Sequence, residues 1–199
     1  MSMPEPRRRS ARRNLMVGLI RHDRIQTTET RARAIRGEVE GLIETAVKGR
    51  QAARNYLASV VTDADKAEQI LKFARRGRFS LSNRVESNEV RLQQQKAPLT
   101  ERGRKFLEDK YSARREELLR IFPNENEAQK ALDAAYQSMV IELRARRKLI
   151  SALVDELVVE KLFEELAPRY TNRHGGYSRI IKLGKRKGDA PDLAQISLV

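Results

Sequence analysis

The chain has 199 residues, 40% of them apolar, enough for one ordinary core with a satellite but not for two large independent domains. It has no cysteine, which excludes disulfides, thiolate chemistry and cysteine-based zinc sites. No run approaches 18 consecutive apolar residues, so no membrane span is expected and the chain reads as soluble. Lys and Arg number 41 against 27 acids, a net +14 that points to a polyanionic partner.

That charge is loaded at the ends. Residues 1 to 36 hold ten Arg against three acids, and residues 168 to 199 hold seven Lys or Arg against two acids. A polyanion binder concentrates charge where it meets phosphate, whereas a generic helical protein spreads it. Aromatics are 5% and Trp is absent, so apolar area must come from Leu, Ile, Val and Ala on amphipathic elements, which predicts a helix-rich fold.

In chain order, Arg7, Arg8, Arg9, Arg12 and Arg13 form a basic arm over residues 1 to 14 that leads into a helix over 10 to 22. An Arg-rich start can also resemble an organelle transit peptide, a reading that Pro4, Glu5 and Pro6 disfavour. Residues 24 to 28, Arg-Ile-Gln-Thr-Thr, read as a short strand. Thr28 suits an N-cap, and Ala32, Ile35, Val39, Leu42, Ile43 and Ala46 recur at helical spacing until Gly49. Residues 50 to 145 read as a polar helical hairpin or small bundle: helices over 51 to 75 and 100 to 121, a break near 76 to 88, and a further helix from about Asn124. Phe106, Leu107, Tyr111, Leu118, Leu119 and Phe122 supply an apolar face to the second of these. From Arg146, the stripe Leu149, Leu153, Leu157, Val158, Leu162 and Leu166 predicts a core helix ended by Pro168. Turn chemistry over 172 to 176 precedes a strand over 177 to 183, a basic loop over 184 to 192 and a closing strand over 193 to 199; the two strands can pair antiparallel.

Two constellations stand out. In residues 168 to 179, Arg169, Arg173 and Arg179 interleave with His174, Gly175, Gly176, Tyr170 and Tyr177. Glycine admits a close phosphate, Arg neutralises it, and a Tyr face can stack on a base; the alternative is an ordinary turn with solvated arginines. The second is the basic loop carrying Lys185, Arg186 and Lys187, whose glycines lack the spacing of a nucleotide-binding loop. His22-Asp23 admits a metal-dependent phosphohydrolase, but that chemistry needs further ligands, and the only other histidine is His174. Composition alone also admits an architectural DNA-binding protein. Neither an enzyme nor a metal or cofactor is expected.

The strings Leu-Ile-Arg-His-Asp-Arg-Ile-Gln-Thr-Thr (19 to 28), Val-Val-Glu-Lys-Leu-Phe-Glu-Glu-Leu-Ala-Pro-Arg-Tyr (158 to 170) and Arg-His-Gly-Gly-Tyr-Ser-Arg-Ile-Ile-Lys (173 to 182) resemble the bacterial-type large-subunit ribosomal protein seventeen family. The likeness covers about residues 7 to 49 and 146 to 199; the longer basic tail of the family has a counterpart only from about Pro6. It implies an α/β (α+β) fold, a compact helix-rich domain with a small mixed sheet, bound to large-subunit rRNA near the polypeptide tunnel exit and beside neighbouring large-subunit ribosomal proteins. The expected site is cytoplasmic, in the ribosome, with an organelle ribosome as the lesser alternative, and with no membrane or small-molecule substrate. On this reading residues 15 to 49 plus 146 to 199 are the core and residues 50 to 145 are a helical insertion. The expected rRNA-binding residues are Arg7, Arg8, Arg9, Arg12, Arg13, Arg21 and Arg24 at the front. At the back they are Arg169, Arg173, His174, Gly175, Gly176, Tyr177, Arg179, Lys185, Arg186 and Lys187.

Overall fold

A computed structural model describes residues 4–81, 88–93 and 96–199. The first three residues of the expected arm, and most of the expected break after Gly77, lie outside them. The elements are α1 (Glu5–His22), β1 (Arg24–Thr28), α2 (Glu29–Val60), α3 (Ala64–Arg75), α4 (Asn88–Gln93), α5 (Glu101–Ile121), α6 (Glu125–Leu153), α7 (Glu156–Lys161), a π-helical turn (Leu162–Leu166), α8 (Ala167–Arg169), β2 (Ser178–Lys185) and β3 (Asp192–Leu198). They form two compact units, one of Met1–Ala53 with Val140–Val199 and one of Arg54–Met139.

The first unit is built around a three-stranded sheet of order β1-β3-β2. Helix-rich α+β is the class expected, but both strand pairings are antiparallel, so the sheet is not mixed. The late strands join through a short loop and β1 enters on the far side of β3, so no parallel crossover is needed. Strand alternation sends Ala194, Ile196 and Leu198 into the core with Ile25 and Ile180 packed against them. Against this face lie Leu19 and Ile20 of α1, and Ile35, Val39 and Ile43 of α2. Leu149, Leu153, Leu162, Phe163 and Leu166 complete the cluster. Each such fully buried aliphatic side chain contributes about 1.5–3 kcal/mol.

The helical start is longer than expected, because the arm itself is helical from Glu5, with Pro6 in the first turn, where its missing N–H is harmless. Four further local expectations are corrected. Gly49 does not end α2, which runs on to Val60. A Cβ at Gly49 would overlap the Cβ of Ala145, so the glycine is there for close approach of α6 rather than termination. Second, the chain turns at Val61 to Asp63, where the Asp63 side chain accepts from the N–H groups of Asp65 and Lys66, so residues 51 to 75 are two helical pieces.

The third correction concerns residues 124 to 168. Helix α6 already runs from Glu125 through Arg146 to Leu153 as one piece. It breaks at Val154, whose φ of 55° is left-handed, and Asp155 then caps α7 by accepting from Val158 N–H. The break rotates Leu157 off the expected stripe to 73% exposure, while Val158, Leu162 and Leu166 stay buried. Fourth, Pro168 does not end the helix. Upstream, the turn widens so that Ala167 N–H donates five residues back to the Leu162 carbonyl, and helical geometry continues to Arg169.

The second unit has its own core of Leu57, Val61, Ile70, Phe73, Leu118, Phe122 and Leu132 among small alanines of α6. Thr100 caps α5 through Gly103 N–H. Of the apolar face expected on α5, Leu118 and Phe122 are buried, whereas Phe106 is 65% exposed. Residues 77 to 81 lie across the helices as a strap. Tyr136 Oη accepts from Phe79 N–H at 2.6 Å, Gln129 Oε1 accepts from Leu81 N–H at 3.0 Å, and Tyr111 Oη donates to the Leu81 carbonyl at 2.8 Å.

Candidate nucleic-acid interface

The first unit carries all of the sequence-predicted site residues. At the front, Arg8 and Arg9 pair with Glu5, and the Arg8 charge is the main cause that holds the Glu5 carboxyl below its ordinary range. Arg12 pairs with Glu38 at 3.0 Å, and Arg13 Nε donates to the Ala152 carbonyl at 3.1 Å, so these two fasten α1 to the unit. Arg21 pairs with Asp155 at 2.6 Å, beside the start of α7. Arg7 and Arg24 are exposed and make no ion pair among the described residues.

His22 ends α1, and Asp23 takes a left-handed φ of 61°, a conformation Asp tolerates, to turn the chain into β1. The Asp23 carboxylate accepts from Lys161 Nζ at 3.1 Å, and its carbonyl accepts from Leu198 N–H at 2.7 Å. The pair therefore holds a corner of the fold. Among the described residues no group of three or more His, Cys, Asp or Glu side chains is placed to hold a metal ion.

At the back, the Arg-Tyr to Gly-Gly-Tyr string is a clasp. Tyr170 and Tyr177 are 1% and 3% exposed, their ring centroids 5.0 Å apart. Tyr170 Oη donates to the Val199 carbonyl at 2.9 Å, and Tyr177 Oη donates to the Arg173 carbonyl at 3.0 Å. Burial pushes the Tyr170 phenol above its ordinary pKa. Base stacking by these rings is thereby corrected: their aromatic area is spent inside the core, and Tyr177 anchors the loop that follows Tyr170. Gly175 and Gly176, at φ of 97° and 62°, let the loop reverse; Arg173 and His174 stand exposed on it, and Arg169 is exposed at the end of α8 just before it.

The sheet joins the two ends. Arg24 of β1 and Arg179 of β2 are both in register with Ser197 of the central β3, so they share one row on the outer face, about 10 Å apart at the backbone. The next row is Gln26, Gln195 and Ile181. Sequence reasoning named Arg24 and Arg179 separately and missed Gln26 and Gln195, which strand alternation places on the same face. Beyond the bulge at Leu183, which Gly184 accommodates at a φ of 92°, the basic loop begins. Arg186 Nε donates to Asp189 Oδ1 at 2.7 Å, and this bond is the main cause that lowers the Asp189 pKa; Arg186 therefore clasps the loop. Lys185 and Lys187 remain exposed, without an ion pair among the described residues.

Fold and surface together define a basic, helix-rich α+β protein whose first unit leaves several cations without carboxylate partners among the described residues. The chain belongs to the ribosomal protein L17 family, whose sequence pattern, described as Ribosomal protein L17, matches residues 11–199. It is 55% identical over 58 residues to the large ribosomal subunit protein bL17 of Clostridioides difficile (strain 630), a match covering 29% of this chain and 51% of that protein. It is likewise 55% identical over 58 residues to the bL17 of Caldanaerobacter subterraneus subsp. tengcongensis, covering 29% and 52%, and 53% identical to that of Thermoanaerobacter sp. (strain X514), covering the same shares. The chain spans about half the length of the curated relatives it matches. No helix among the described residues is long and apolar enough to cross a membrane.

Proposed function

We propose that this chain is a structural constituent of the large ribosomal subunit, that it works as an rRNA-binding scaffold and not as an enzyme, and that its site lies near the polypeptide tunnel exit. The observation that carries this is the set of exposed cations of the first unit, Arg7, Arg24, Arg179, Lys185 and Lys187, that no carboxylate neutralises among the described residues. Unpaired cations on a fixed sheet suit phosphates of folded RNA. Because A-form helices hide their major-groove edges, recognition is then mainly of shape, through phosphates and 2′-hydroxyls. Arg173 and His174 add to this surface from the clasped loop, and Arg169 from the end of α8.

Residues 50 to 145 form, on this reading, an insertion into a core made by residues 15 to 49 and 146 to 199, with the helical arm before it. The abutment of Gly49 and Ala145 supports it, because chain leaving at one point and returning beside it disturbs the core little. The test is co-sedimentation of the full chain with large ribosomal subunits through moderate salt. The chain is expected in the large-subunit fractions; migration in the free pool would sink the assignment.

A further inference from the structure

The second unit holds an open cleft of about 610 Å³, within the size range of small-ligand sites, that the ribosomal reading does not use. Arg78, Phe79, Ser80, Tyr111, Asp133 and Gln137 are among the residues that line it. Its walls are fixed. Tyr111, Gln129 and Tyr136 tie the strap of residues 77 to 81 in place, and Phe79 stacks beside Tyr111 with ring centroids 5.1 Å apart. The Arg114 guanidinium lies over Phe79 from 5.1 Å and over Phe73 from 4.7 Å.

The polar groups of the cleft are of a particular kind. Gln129 Nε2 donates to Asp133 Oδ1 at 2.9 Å, which orients the carboxylate, and Asp133 makes no ion pair among the described residues. Asp133, Gln137 and Arg78 are all exposed where the cleft opens to solvent. A carboxylate only accepts, so it matches a ligand edge with adjacent donors. Guanine offers two, its ring N–H and its amino group; adenine and cytosine set an acceptor beside the amino group, and uracil has a single donor between carbonyls. The Gln137 amide can serve the guanine carbonyl, the Tyr111 ring at the wall suits a flat base, and Arg78 suits the attached phosphate.

We propose that this cleft takes an unpaired guanine nucleotide of RNA, with Asp133 reading the base edge and Arg78 holding the phosphate. The proposal rests on the ribosomal reading for its ligand, but it is tested on the free full-length chain. Guanosine 5′-monophosphate is titrated against amide resonances. It is expected to shift Phe79, Ser80 and Gln137 saturably, and to bind about tenfold more tightly than adenosine 5′-monophosphate or inosine 5′-monophosphate, which lacks the amino group. Asp133→Asn keeps an acceptor for Gln129 yet presents a donor to guanine, and is expected to erase that preference; Arg78→Ala is expected to weaken all three nucleotides alike. Equal binding of the three nucleotides by the parent chain, or shifts confined to the basic ends, would overturn the site. Neither result would bear on whether the chain sediments with large subunits.

Discussion

The two units of this chain use arginine differently. In the second, Arg114 donates to the Phe73 and Gly77 carbonyls while covering two aromatic rings, and Arg76, Arg104 and Arg115 each meet a glutamate. Those four arginines hold that unit together, while Arg78, Arg102, Lys105 and Lys110 stand exposed with no ion pair among the described residues. The first unit also pairs some of its arginines, Arg12, Arg21 and Arg146 among them. It differs in placing Arg24 and Arg179 in one row across a rigid sheet, with a clasped arginine loop and two free lysines besides. Cations without ion pairs occur in both units among the described residues, so what sets the first apart is their arrangement in one row on a sheet.

Charge reversal tests that contrast most strongly. Replacing Arg169, Arg173 and Arg179 with glutamate should make the dependence of log affinity for rRNA on log salt shallower by about 0.7 to 0.9 for each phosphate no longer neutralised. Reversing Arg102, Lys105 and Lys110 of α5 should change the slope less. Filter binding over a salt series measures both, and equal changes would erase the distinction between the units.

Stability effects come next. Gly49→Ala gains about 1 kcal/mol of helix propensity but drives a methyl into Ala145, and overpacking of that kind costs about 1–3 kcal/mol. Both atoms are attached directly to backbone, so the cost falls toward its upper end and a net loss of up to about 2 kcal/mol is expected in denaturant unfolding. A stabilised variant would mean that Gly49 is not a contact glycine. Tyr177→Phe should cost about 1 kcal/mol by leaving the Arg173 carbonyl without its donor, yet leave the salt slope of rRNA binding unchanged. A changed slope would return the Tyr177 ring to the RNA surface.

The smallest effect is on pH. Glu29 has a lowered pKa, first because Lys182 donates a hydrogen bond to it and then through the Arg33 charge. Its stabilising contribution is therefore complete above the ordinary carboxylate range and is lost as pH falls through the lowered folded value. Glu29→Gln should slightly flatten the acid side of a stability–pH curve and leave the neutral region with a small deficit. An unaltered acid limb would show the contact to be inert.

Much of the first unit was legible because its signals are local. Residues 24 to 28 are rich in β-branched side chains and form β1 over the expected span. Of the α2 stripe, Ala32, Ile35, Val39, Ile43 and Ala46 are fully buried, and Leu42 packs against the core partly buried. What misled was tertiary. Gly49 carries the signature of a helix stop, and only Ala145, ninety-six residues away in sequence, gives it another purpose. Nothing in the periodicity marks Val154 as left-handed, since a β-branched residue is a poor candidate for that conformation. The site was legible in charge but not in availability: Arg12, Arg13 and Arg186 look like Arg24 and Arg179 until their partners are seen. Tyr170 and Tyr177 sit in a basic, glycine-containing turn that suggests stacking, yet two buried phenols with backbone acceptors make a clasp.

The central claim is that the first unit alone holds what the ribosome recognises. Because Gly49 and Ala145 abut, residues 52 to 144 can be replaced by a short linker. The shortened chain, once shown to fold by its circular dichroism and cooperative melting, should co-sediment with large subunits through moderate salt as the full chain is expected to do. A folded deletion variant that stays in the free pool while the full chain sediments would contradict the account.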